Sequence, residues 1–95
     1  ILDEIKRQVS VPLVLHGGSS NKDTKIAKAV AHGVNKINIS SDIKDPFYRK
    51  CREMLKDDAI RESNRIYPPC IEVLKNAAIE KIKLFQADGR AALYE

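Results

Sequence analysis

The sequence predicts an α/β fold, a parallel two-strand unit followed by helices, and three features carry that prediction. Two short strand-like runs, the apolar Val11–Leu15 and Val34–Ile39 with Val34, Ile37 and Ile39 apolar, each end in polar residues, His16-Gly17-Gly18-Ser19-Ser20 after the first and Ser40-Ser41-Asp42 after the second. Between them lies a helical pattern stopped by Gly33, and beyond them apolar positions recur only at helical spacing. A strand, a helix of about ten residues and a second strand form a βαβ unit, with parallel strands and a right-handed crossover.

Taken in order, Ile1–Gln8 sets Leu2 and Ile5 among charged residues, as in the last turns of an amphipathic helix. The chain opens at Ile1 partway into that helix and without a Met, so more chain is expected upstream. Val11–Leu15 reads as a buried parallel strand that opens into a polar loop. Asn21 or Asp23 can cap the next helix, whose apolar positions are Ile26, Ala27, Val30 and Ala31, and Gly33 stands where a left-handed residue ends it. Val34–Ile39 is the second strand, beside the first or nearly so.

Asp42 or Asp45 is expected to cap a third helix, with Pro46 in its first turn and Phe47, Cys51, Met54 and Leu55 as its apolar stripe. Residues 57–65 read as a polar connection, and Tyr67-Pro68-Pro69 as a hard break. A longer helix follows, with Ile71, Leu74, Ala78, Ile82 and Phe85 spaced 3, 4, 4 and 3 apart, ending before Gly89. Two parallel strands with bare edges call for further strands, a second copy or a rearrangement.

Composition narrows the function classes. The 17 Lys and Arg against 13 acids give a net charge of +4, but the basic residues are scattered among acids and aromatics are only 5%. That is a solvated helix surface rather than a nucleic-acid interface. There is no run of about 18 apolar residues for a membrane span and no signal-peptide layout, so the expected location is cytoplasmic. Cys51 and Cys70, 19 apart, lack the spacing of a zinc ribbon or redox pair and are expected to be reduced thiols packed as small hydrophobes.

Parallel strands bring both polar tips to one end of the sheet, where α/β folds place their chemistry. The tips carry an imidazole (His16), an amide (Asn38), glycine backbone at Gly17 and Gly18, and the hydroxyls of Ser19, Ser20, Ser40 and Ser41. Such a set suits a phosphate and a neighbouring oxyanion. Asn38 stands out, because a buried amide costs about 1–3 kcal/mol unless it finds partners. Asp42 just past the second tip is as well explained as a helix cap. A hydrolase oxyanion loop would need a G-x-S-x-G elbow, and a dinucleotide site a G-x-G-x-x-G, and neither is present.

Leu15-His-Gly-Gly-Ser19, followed by Gly33-Val-Asn-Lys-Ile-Asn-Ile-Ser-Ser-Asp42, resembles the class II, zinc-dependent fructose-bisphosphate and tagatose-bisphosphate aldolases. The resemblance implies the C-terminal part of a TIM (β/α)8 barrel of ~250 residues or more, with the two strands as its seventh and eighth. Residues 1–45 would be the βαβ unit with the phosphate and zinc loops, and 46–95 the C-terminal helices. It further implies that His16 is a zinc ligand and that Gly17 and Ser19 hold the phosphate of dihydroxyacetone phosphate. Ser40 and Ser41 would complete the cradle, and Asn38 would contact the substrate near its carbonyl and hydroxyls. Zinc would act as a Lewis acid on the ketone, and a monovalent cation could sit near Gly17 and Ser19.

The implied parent is a glycolytic lyase, a dimer or tetramer, acting on fructose or tagatose 1,6-bisphosphate. The other zinc ligands and the catalytic aspartate of the family fall outside this sequence, so the 95 residues alone are expected to be inactive. His32, beside Gly33, is expected to serve the helix dipole rather than a metal. The arginine that some members place on the C-terminal helix has no match in Pro69–Leu74. The competing readings are a non-catalytic phosphate-binding module and a self-associating α/β module.

Overall fold

The computed structural model describes residues 1–94, and the chain divides into two compact units. The first comprises Ile1–Ser40 together with the segment from Ile82 onward, and the second Ser41–Lys81. The first unit holds helix α1 (Leu2–Gln8), strand β1 (Val14–Leu15), a 3-10 turn at Gly18–Ser20, helix α2 (Asp23–Ala31) and strand β2 (Lys36–Ile37). Helix α3 (Ser41–Met54) opens the second unit, helix α4 (Ser63–Leu84) follows it, and a 3-10 turn at Arg90–Tyr94 comes last.

The strands pair in parallel, Val14 opposite Lys36 and Leu15 opposite Ile37. Both strands are shorter than the sequence predicts, for a local reason. Pro12 has no N–H to offer, and the Leu13 N–H turns to the Asn35 side chain, donating to Oδ1 at 3.0 Å. The Leu13 carbonyl accepts from the Asn35 and Lys36 N–H groups at 2.9 and 3.2 Å, so an asparagine side chain stands in for the missing rung. The expected two-sided burial is not met either. Leu15, Ile37 and Ile39 are half-buried, whereas Val11, Val14 and Lys36 are exposed, Val14 at 49%. One face of the sheet is covered and the other is open.

Helix α2 buries Ile26, and its N-cap is Lys22, not Asn21 or Asp23. Asn21 instead turns its amide onto the Gly17 carbonyl at 3.1 Å, and Asp23 is the first helical residue. The stop at Gly33 is as expected. Gly33 has φ 105, its N–H donates to the Val30 carbonyl, and the Val34 N–H reaches back to Ala29. That double return satisfies two terminal carbonyls of the helix and turns the chain into β2. His32 is the C-cap, and its Nδ1 lies 2.8 Å from Asp3 Oδ1 on α1. The hydrogen bond and charge of His32 hold the Asp3 carboxyl below its usual pKa.

In the second unit the prolines correct the sequence reading. Helix α3 begins at Ser41, so Asp42 lies inside its first turn and Pro46 beyond it. Helix α4 begins at Ser63 and continues past Pro68 and Pro69, which were expected to break the chain. Each proline removes only the bond to the carbonyl four residues earlier, at Asn64 and Arg65, and both of those residues are exposed to water. The polar connection is therefore residues 55–62, shorter at its far end than expected.

The two helices touch at Cys51 and Cys70, through the stacked rings of Phe47 and Tyr67 (centroids 6.4 Å apart), and through Lys81 and Asp42 at 3.5 Å. Pairing of early with late positions makes this an antiparallel helical hairpin. On α4 Cys70 is buried and Val73, Leu74, Ala77 and Ala78 are half-buried; of the predicted stripe Leu74, Ala78 and Phe85 are partly covered, whereas Ile71 and Ile82 are exposed.

Candidate functional site

Alternation along β1 and β2 places the candidate side chains on the open face. Val14 and His16 point the same way on the first strand, Lys36 and Asn38 on the second, and the register sets His16 opposite Asn38 just past the ladder. The Asn38 N–H donates to the Leu15 carbonyl at 2.9 Å, which carries the pairing into the tip.

The Asn38 amide lies between two partners. Its Oδ1 accepts from the Lys36 ammonium, and its Nδ2 donates to His16 Nδ1 at 2.9 Å. Lysine has only donors, so it fixes which end of the amide faces it. The amide nitrogen is then directed at the imidazole, Nδ1 serves as acceptor, and in the neutral ring the proton sits on Nε2. Asn38 therefore has the partners that its position in an apolar strand demanded. Lys36 was not singled out from the sequence, although its spacing of two from Asn38 on one strand was the available signal.

The glycines have separate jobs. Gly17 takes the left-handed conformation, with φ 66, and starts the turn. Its carbonyl accepts from the Ser20 N–H, the Ser20 hydroxyl at 2.7 Å and the Asn21 amide, so Ser20 is turned onto its own loop. Gly18 is buried, and a Cβ there would stand 2.7 Å from Ile37 Cγ2, 2.9 Å from Ile39 Cγ2 and 3.0 Å from the Asn38 carbonyl oxygen. Its N–H donates to that carbonyl at 3.0 Å, which joins one tip to the other. The sequence reading gave both glycines to close approach of an anion, whereas Gly18 serves close approach of β2.

A second tie runs from the Ser40 N–H to the Ser19 hydroxyl oxygen at 3.1 Å. The structure thus brings together His16, Gly17, Gly18, Ser19, Asn38 and Ser40 within the first unit. Ser41 follows as the first residue of α3. Among the described residues no cluster of three or more His, Cys, Asp or Glu side chains could hold a metal ion. His16 offers one ligand, and its Nδ1 is already engaged by Asn38. These residues alone do not fit a closed zinc site.

The geometry defines an α/β protein whose polar side chains gather at the carboxyl ends of parallel strands, and known proteins place it further. The chain matches the family model for fructose-bisphosphate aldolase class-II over residues 1–90. It is 32% identical over 92 residues to the fructose-bisphosphate aldolase of Geobacillus stearothermophilus, covering 96% of this chain and 32% of that protein. It is 33% identical over 91 residues to the 6-phospho-5-dehydro-2-deoxy-D-gluconate aldolase of Bacillus licheniformis, covering 95% of this chain and 31% of that one. The crystal structure of the YdjI aldolase from Escherichia coli K12 is similar with a TM-score of 0.84 at 33% identity, over 95% of this chain and 33% of that one. The chain belongs to the class II fructose-bisphosphate aldolase family. It spans about a third of the length of the curated relatives it matches.

Proposed function

We propose that the chain forms the C-terminal part of a (β/α)8 barrel, with β1 and β2 as its seventh and eighth strands. Residues 1–45 would be its βαβ unit and 46–95 its C-terminal helices. The parent enzyme would reversibly cleave fructose or tagatose 1,6-bisphosphate to dihydroxyacetone phosphate and glyceraldehyde 3-phosphate. The observation that carries this reading is the joined pair of tips, where His16 and Asn38 meet beside Gly17, Ser19 and Ser40. Strands seven and eight of such barrels are the ones that commonly build a phosphate site. The names of the two relatives differ in the sugar, share the aldolase reaction and both specify a phosphorylated substrate.

In this reading Gly17, Ser19, Ser40 and Ser41 surround the phosphate, and Asn38 presents its amide to the substrate's carbonyl and hydroxyls. Lys36 keeps that amide in one orientation. The class II family is generally zinc-dependent, and His16 is the one ligand proposed from this chain, with its Nδ1 lone pair, which accepts from the Asn38 amide here, given over to the metal. When bound, zinc polarises the ketone as a Lewis acid. The remaining ligands and the catalytic aspartate are proposed to lie in other strands of the parent, which makes these 95 residues inactive by themselves. A monovalent cation beside Gly17 and Ser19, a cytoplasmic location and a homo-oligomeric parent complete the proposal.

The test is cleavage of both bisphosphates by the protein that carries this chain. EDTA and His16→Ala should each abolish turnover, and activity that survives both would discard the reading. In the same protein, inorganic phosphate should shift the Gly17, Ser19 and Ser40 amide resonances.

A further inference from the structure

The thiols of Cys51 and Cys70, from facing helices, lie 3.3 Å apart, and both are free. Closing them to a disulfide, with its S–S bond of about 2.05 Å, needs little more than 1 Å of approach. Their surroundings differ. Cys70 is fully buried and its thiol donates to the Ile66 carbonyl at 3.2 Å. Burial, together with the hydrogen bond and charge of Cys51, raises the Cys70 pKa, which keeps its proton in place. Cys51 is half-buried and lines an open groove with Tyr48, Leu55, Arg61, Tyr67 and Ile71. One sulfur can meet a small solute and the other can meet only its partner.

We propose that Cys51 and Cys70 form a peroxide-responsive dithiol, in which Cys51 is the oxidised residue and Cys70 the resolving one. In the first step the Cys51 sulfur attacks hydrogen peroxide. The O–O bond breaks, one oxygen stays on sulfur as sulfenic acid, and the other leaves with the thiol proton as water. In the second step the Cys70 sulfur attacks the Cys51 sulfenic sulfur. The S–O bond breaks, an S–S bond forms, and the departing hydroxide takes the Cys70 proton to leave a second water. Two thiols lose two electrons and two protons in all, and peroxide supplies the oxidising equivalents. The product closes the chain between positions 51 and 70 and staples α3 to α4 across the connection between them.

The test treats the protein with hydrogen peroxide and reads thiols and mass. Both cysteines should become unreactive to a maleimide after unfolding, with loss of two hydrogens and full recovery on reduction by dithiothreitol. Cys70→Ala should halt at a sulfenic acid on Cys51 that dimedone traps, and Cys51→Ser should leave Cys70 unmodified in the folded protein. The wild-type measurement needs no variant to fold, so the proposal stays exposed to failure on that result alone. Both thiols surviving peroxide, a Cys51 carried on to sulfinic acid with Cys70 still free, or a disulfide between two chains would each overturn it.

Discussion

At the scale of single residues, Gly18 shows how the site is built. The sequence offered Gly17-Gly18 as one flexible pair, yet only Gly17 needs a positive φ, and Gly18 needs the absence of a Cβ. An alanine there would meet two isoleucine methyl groups and a carbonyl oxygen, none of which can swing away as a long side chain would. Gly18→Ala should therefore destabilise the fold by about 1–3 kcal/mol, the usual cost of overpacking, and broaden the amide signals of both tips. A denaturation midpoint and tip spectrum unchanged by the substitution would count against this packing. His16 and Asn38 were legible from the sequence because an imidazole and an amide are conspicuous at the ends of apolar strands. Lys36 was not, because one more lysine in a basic chain looks like surface until its amide partner is located.

At the scale of elements, the helix α2 and its stop could be read ahead of the structure, and the prolines misled. Gly33 and Gln86 make the same kind of helix end, each with a positive φ and a double return of N–H groups to the last turn. Gln86 does so with φ 56, where a side chain is strained, so the element ends correctly at a cost. Gln86→Gly should relieve it and raise stability by roughly 0.5–1 kcal/mol, after the extra backbone entropy of glycine is subtracted. Chemical denaturation reads the change, and a lower midpoint for the variant contradicts the account. Pro46, Pro68 and Pro69 read as boundaries because a proline does remove a bond. What the sequence alone does not display is that Asn64 and Arg65, the residues whose carbonyls lose a donor, are both exposed, where such a loss is tolerable. The α4 stripe was legible in part, since Leu74, Ala78 and Phe85 are half-buried, but spacing gives a period and not how far coverage extends, and Ile71 and Ile82 are exposed.

At the scale of the whole molecule, the α/β class and the parallel pairing were legible, and the extent of burial was not. Among the described residues Ile26 and Cys70 are the buried hydrophobic side chains, while Val11, Val14, Tyr48, Leu55, Tyr67 and Ile71 stay exposed. A chain of this size that buries so little apolar surface is weakly held together. The 95 residues alone should bind a hydrophobic dye and unfold over a broad range of denaturant, and a sharp transition without dye binding would argue that they are self-sufficient. Periodicity identified which positions were apolar but carried no information on which of them this chain covers. The joint between the tips has one consequence for divergence. The Gly18 N–H reads the Asn38 carbonyl and is indifferent to the Asn38 side chain. Substitution at position 38 can therefore change the side chain at the strand tip while the backbone joint between the two strands stays in place.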